Sequence, residues 1–215
     1  NISDKYKGCS NDRGVELFIA EGDSAMTPIS LVKSPINQAA YAIRGKLYNV
    51  FDKDLEDALK NQEIKELIRI LGSEKQAMRK FDKIVIASDS DEDGDQIMLL
   101  ILGFLSTFYP ELIRQGKVYR LVTPRYLGVK GTKTVESYTE DLEWVDKYEK
   151  LGYNVTYLKG LGQISFQIME RYINSQHRKL MPIKVDNWDE FYDNLEIALS
   201  QDKDLVQVRK EMLVE

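Results

Sequence analysis

The 215-residue sequence predicts an α/β protein built on a parallel sheet with flanking helices. Two observations carry that prediction. Strand-like and helix-like stretches alternate along the chain, and two acidic clusters stand where strands end. Glu21-Gly22-Asp23-Ser24-Ala25 follows VELFIA, and Asp89-Ser90-Asp91-Glu92-Asp93-Gly94 follows KIVIAS. In an open α/β sheet ligands bind at the carboxyl ends of strands, and oxygen donors gathered there favour Mg²⁺ and phosphate chemistry.

The elements follow in order. Residues 15–20 read as a buried strand and 38–44 as a second. Over 53–71, Leu55, Leu59, Ile64, Leu67, Ile68 and Leu71 give an apolar face to one or two helices. The β-branched run at 84–87 is a third strand, 96–108 an apolar helix closed by Pro110, and 118–122 a strand ending at Pro124. This first part reads as a compact core over 14–128. Beyond it, 135–139 adds a strand, 141–151 a helix stopped by Gly152, and 155–158 a strand leading into Lys159-Gly160-Leu161-Gly162. The stretch 128–133 is the best seam, and 129–215 forms an extension whose last fifty residues are mostly helical. There Trp188, Phe191, Tyr192, Leu195 and Leu199 recur at helical spacing as a core-facing stripe.

Each acidic cluster has a plainer explanation, because Asp and Gly favour turns and helix N-caps. Asp89-x-Asp91-x-Asp93-Gly94 also opens like an EF-hand calcium loop. That loop needs a Glu at its twelfth position and a helix before its first. Here the twelfth residue is Leu100 and a β-branched run precedes Asp89, so the EF-hand fails on both counts. Along an extended segment Asp89, Asp91 and Asp93 fall on one side, facing a common point. Glu21, Asp89 and Asp91 are suited to hold a metal. Asp93 either ligates through water or caps the helix that Gly94 begins. Asp23 and Ser24 are read as N-cap or turn partners, and Gly22 and Gly94 as places where backbone comes close to phosphate.

At these residues the chain resembles the TOPRIM domain of type IIA DNA topoisomerases. Glu21-Gly22-Asp23-Ser24-Ala25 is followed about seventy residues later by the Asp-x-Asp-x-Asp-Gly motif. Arg44-Gly45-Lys46-Leu47-Tyr48-Asn49-Val50, Tyr109-Pro110-Glu111-Leu112-Ile113 and Tyr157-Leu158-Lys159-Gly160-Leu161-Gly162 fall in the family's order. Chance agreement of five ordered motifs is remote. The LLILGF run and the Pro-Glu-Leu-Ile-Arg-Gln-Gly stretch look closest to the topoisomerases of T-even bacteriophages.

The resemblance implies a Rossmann-like TOPRIM fold in which Glu21, Asp89 and Asp91 are the catalytic metal ligands for Mg²⁺, with Mn²⁺ or Ca²⁺ as substitutes. It implies DNA contacts by Lys46, Asn49 and, less directly, Lys159. Double-stranded DNA is the implied substrate. The nucleophilic tyrosine is supplied by a partner region and ATP is used by a separate ATPase region; the location is the cytoplasm, that of a host cell if phage-encoded. Two departures stand beside the metal motif: Asp95-Gln96-Ile97-Met98 replaces Ser-His-Ile-Arg, and Met26-Thr27 replaces Gly-Gly. No role is assigned to Gln96 or Met98. Other TOPRIM enzymes, a primase or an OLD-type nuclease, share the carboxylates but are not expected to carry both the Arg-Gly-Lys and Lys-Gly-Leu-Gly segments. A non-catalytic docking domain has no reason to retain all three carboxylates.

Composition narrows the field further. With 43% hydrophobic residues the chain buries a real core. Its single cysteine, Cys9, excludes an internal disulfide and a cysteine-cluster zinc site. No apolar run approaches the roughly 20 residues of a membrane helix, and the N-terminus lacks the pattern of a signal peptide. The sequence starts without Met, which leads to the expectation of a segment of something longer. Net charge −5 argues against avid unaided DNA binding, although Lys33, Arg44, Lys46, Arg125, Lys130, Lys133 and Lys159 lie near the motifs. His177, the lone histidine, reads as a surface residue. Of the twelve tyrosines, Tyr41, Tyr119, Tyr157 and Tyr192 fall in patterns where they pack, and none has a nucleophile context.

Overall fold

A computed structural model describes residues 3–45, 47–51 and 53–200. In chain order the strands are β1 (Tyr6–Lys7), β2 (Val15–Glu21), β3 (Gln38–Ile43), β4 (Phe81–Ala87), β5 (Val118–Val122), β6 (Tyr126–Lys130), β7 (Lys133–Ser137), β8 (Asn154–Tyr157) and β9 (Lys179–Pro182). The helices are α1 (Gly22–Val32), α2 (Leu55–Ala58), α3 (Gln62–Leu71), α4 (Glu74–Lys80), α5 (Glu92–Phe108), α6 (Pro110–Arg114), α7 (Leu142–Lys150), α8 (Phe166–Ile173) and α9 (Trp188–Leu199).

Six strands form the main sheet in the order β1-β3-β2-β4-β5-β9. The inner four run parallel, and short antiparallel strands close both edges. Strand alternation divides the core into two layers. Leu17, Ile19, Tyr41, Ile84 and Ile86 pack with α3, α5, α6 and α9, whereas Phe18, Ala20, Ala40, Ala42, Val85 and Ala87 pack with α1 and α8. Burial on both faces explains why these strands read as continuous apolar runs. A second, antiparallel sheet, β7-β6-β8, carries the later segment.

Most expected elements are present, and the structure refines several of them. The 53–71 segment resolves into two helices, because the Asn61 side chain caps Ile64 and starts α3 anew. Helix α4, begun by a Ser73–Gln76 capping box, has no counterpart in the sequence reading, and helix α1 starts directly at the end of β2, ahead of Asp23 and Ser24. The 128–133 stretch is the β6–β7 hairpin, turning at Gly131 with φ 59°. Within the described part of the later segment α8 and α9 are helical as expected, and between them β9 returns to pair antiparallel with β5, Tyr119 opposite Pro182. That pairing is long-range, so no local periodicity announces it. The aromatic stripe of α9 packs as expected, with Leu195 and Leu199 buried. Tyr157 does not: on the small sheet it is 43% exposed, its ring centred 5.1 Å from that of Tyr126, the spacing of paired aromatics. His177 lies in the turn after α8, partly exposed.

Candidate metal centre

Parallel pairing of β2 with β4 sets Ala20 opposite Ala87, so Glu21 and the Ser88-Asp89 pair leave the sheet side by side at its carboxyl edge. Gly22, at φ 75°, turns the chain from β2 straight into α1, a conformation L side chains rarely adopt. Glu21 stands half-buried at the head of that helix. Asp23 and Ser24, expected as caps, lie inside the first turn of α1 and cap nothing; Asp23 instead pairs with Arg44 at 3.0 Å.

Asp89 is half-buried, and its Oδ1 accepts the Leu161 amide at 2.8 Å. Asp91 is exposed, and its Oδ1 accepts the Gly94 amide at 2.8 Å, making it the N-cap of α5. The helix therefore begins at Glu92, before Gly94. Alternation ends there, and Asp93 takes up the helical backbone of α5. It lies exposed in the first turn, where its charge suits the positive helix end. Gly94 is also required by the chain itself: a Cβ there would stand 1.9 Å from the Asp89 carbonyl oxygen.

Arginines brace the acidic loop. Arg120 Nη2 donates to the Asp89 carbonyl at 3.1 Å while Nη1 pairs with Asp95 at 2.7 Å, and Arg125 donates to the Ser90 carbonyl. Lys159 is exposed beside them. Lys33 instead donates to the carbonyls of Gly8 and Gln38, and Lys130 to that of Leu151. Asn49 is engaged within the chain: its Nδ2 donates to the Leu199 carbonyl at 2.6 Å and its Oδ1 accepts from Phe51 at 3.1 Å. Lys46 lies outside the described residues.

Among the described residues no three carboxylate, histidine or cysteine side chains close into a ready cage. The donor set still fits Mg²⁺, which is commonly held by one or two carboxylates together with waters and substrate phosphate. Each of the three carboxylates offers hard oxygens, and the Ser88 hydroxyl, buried without a protein partner, adds an orphaned polar atom directly before Asp89. Sequence reasoning missed Arg120, the Leu161 amide and Ser88. Arg120 becomes visible only once β5 is known to lie beside β4, with Arg120 opposite Ile86.

A parallel-rich sheet covered on both faces, with carboxylates at the ends of adjacent strands, defines a Rossmann-like α/β protein with an acidic strand-end site. The chain belongs to the Toprim domain family, whose model matches residues 16–123. It is 33% identical over 191 residues to the B-type subunit of DNA topoisomerase 4 from Bacillus subtilis, covering 84% of this chain and 29% of that protein. Against its counterpart from Borreliella burgdorferi it is 33% identical over 187 residues, 86% of this chain and 31% of the relative. It is 30% identical over 208 residues to the B-type subunit of DNA gyrase from Thermotoga maritima, covering 92% and 33%. The chain thus spans about a third of the length of these relatives. In fold it is similar to the DNA-binding, cleavage and re-ligation domain of Plasmodium falciparum topoisomerase II. The TM-score is 0.80 at 24% identity, over 97% of this chain and 30% of that one. No helix among the described residues is long and apolar enough to cross a membrane.

Proposed function

We propose that this chain is the metal-binding part of a type II DNA topoisomerase, akin to the B-type subunits of gyrase and topoisomerase 4, supporting ATP-dependent double-strand cleavage, strand passage and religation. The observation that carries the reading is the pairing of β2 with β4, which brings Glu21 and the Asp89–Asp91 loop to one edge of the sheet. In this reading Glu21, Asp89 and Asp91 hold Mg²⁺, with Asp93 contributing through water, and Mn²⁺ or Ca²⁺ substitute. When bound, the ion neutralises charge on the phosphate and on the leaving 3′-oxygen.

The chain's own groups orient the parts. The Leu161 amide aims the Asp89 carboxylate, the Gly94 amide aims that of Asp91, and Arg120 and Arg125 fix the loop carbonyls between them. Lys159 and Lys46 offer positive charge to the DNA backbone. Asn49 serves the same segment from behind, by holding the end of α9.

A tyrosine nucleophile needs a phenol that ionises readily, and several of this chain's phenols shift the other way. Burial pushes Tyr109 up to about 12. Burial and nearby carboxylates raise Tyr41, Tyr138 and Tyr172, and a hydrogen bond to Glu140 raises Tyr157. The nucleophile in this reading belongs to a partner region, and ATP to a separate one. We divide the chain into a Toprim core at 14–128 and an extension at 129–215, a reading supported by the family match ending at residue 123. The LLILGF run supports a T-even-like phage origin and action in a host cytoplasm.

The test is cleavage of duplex DNA by this chain combined with a tyrosine-bearing topoisomerase partner region. Glu21→Gln, Asp89→Asn and Asp91→Asn each remove charge at nearly constant shape and should abolish Mg²⁺-dependent cleavage. Undiminished cleavage by any of them overturns that residue's role.

A further inference from the structure

The Lys159-Gly160-Leu161-Gly162 segment bridges the two acidic motifs. The Leu161 amide donates to Asp89 Oδ1 at 2.8 Å. Gly160 lies against the same carboxylate: a Cβ there would stand 2.9 Å from Oδ2 and 3.4 Å from Oδ1. Gly162 lies against the other motif, where a Cβ would stand 2.9 Å from both Cβ and Oγ of Ser24. The backbone of Gly160 is extended, φ −150° and ψ 156°, a conformation any residue adopts. Glycine is required there by the approach of Asp89, not by backbone geometry. Arg120 holds the Asp89 carbonyl at 3.1 Å, so the main chain is fixed while the turn governs the carboxylate.

We infer that this turn is a positioning element for the metal site: Gly160 gives the Asp89 carboxylate its place, the Leu161 amide fixes its rotation, and Gly162 seats the turn on the head of α1. The inference rests on the reading of Asp89 as a metal ligand. A methyl group at 160 is accommodated by rotating the short Asp89 side chain, since a terminal carboxylate yields more readily than backbone. Rotation breaks the Leu161 hydrogen bond and turns the oxygens away from their set direction. Groups that orient ligands in this way typically govern affinity by about 10- to 100-fold.

The test combines Mn²⁺ titration of the purified chain, followed by electron paramagnetic resonance, with a thermal double-mutant cycle. Gly160→Ala should keep the far-UV circular dichroism spectrum and weaken Mn²⁺ binding about tenfold. Asp89→Asn should weaken it at least as much. The drop in midpoint caused by Gly160→Ala should vanish in an Asp89→Ala background, where the obstructing carboxylate is gone. If Gly160→Ala alone fails to fold, Asp89→Ala should restore folding. Unchanged Mn²⁺ affinity in Gly160→Ala beside a weakened Asp89→Asn overturns the positioning role, as does an additive cycle or a failure of Asp89→Ala to restore folding. Wild-type affinity in Asp89→Asn overturns the metal-ligand reading instead.

Discussion

Arg178 grips Glu16 across 162 residues, Nη1 on Oε2 and Nη2 on Oε1, each at 2.7 Å. Gln38 adds a hydrogen bond at 3.0 Å and Lys83 an ion pair at 3.2 Å, all around a carboxylate that is nearly buried. The start of β2 is thereby locked to the turn that follows α8. Removing the guanidinium strips a buried charge of its two-pronged partner, a change that costs about 3 kcal/mol in comparable settings. Arg178→Met should lower the urea midpoint accordingly, and Glu16→Gln added to it should recover part of the loss. A fall below about 1 kcal/mol, the level of surface pairs, would contradict the assignment.

Acid should destabilise the chain through the same residue. Burial alone would raise the Glu16 carboxyl, but hydrogen bonds from Arg178 and Gln38 and the Arg178 charge outweigh it and bring it down to about 2. A depressed native value means that the contribution is complete above the unfolded value near 4.5 and fades as pH falls towards about 2. The loss is on the order of 2 to 3 kcal/mol across that window. Urea titrations at pH 6, 4 and 2.5 should show it, and Glu16→Gln should flatten the profile.

Gly94→Ala tests the turn between the two aspartates. The obstruction is the Asp89 carbonyl oxygen, 1.9 Å from the added Cβ, and backbone cannot step aside as a flexible side chain can. The expected cost is about 3 kcal/mol, at the upper end for overpacking. Unfolding with an unchanged midpoint would show that the loop is softer than its packing implies.

Lys159→Ala and Lys46→Ala should each weaken DNA binding on all sequences alike. Each should lower the slope of log K against log salt by about one, the signature of one lost phosphate contact. An unchanged slope returns that lysine to the solvated surface.

Incubated with DNA and Mg²⁺ or Ca²⁺ and then denatured with detergent, the chain alone should yield no protein-linked DNA. Linked product should form once the tyrosine-bearing partner region is added. A covalent adduct formed by this chain alone would overturn the division of labour.

The local grammar of the sequence carried the fold far. The apolar runs at β2, β3 and β4 are legible because strands buried on both faces show no polar interruption, and the acidic ends of β2 and β4 mark the carboxyl edge. What escaped is what depends on distant partners. Arg120 looks like any strand arginine until β5 stands beside β4, and Asn49 like a turn residue until α9 ends against it. The start of α5 differs from the sequence reading for a local reason: Asp91 caps Gly94, which pulls the helix back to Glu92.

Strand β9 carries a consequence for the birth of the molecule. Until Lys179–Pro182 has emerged from the ribosome, β5 presents an unpaired edge, open to mispairing with other strands. The central sheet can assemble early from β2, β3 and β4, but its seal is supplied about sixty residues after β5, a separation that slows the final step. A nascent chain that has exposed β5 but not yet Lys179–Pro182 should accordingly be the aggregation-prone species, and emergence of β9 the point at which it becomes safe.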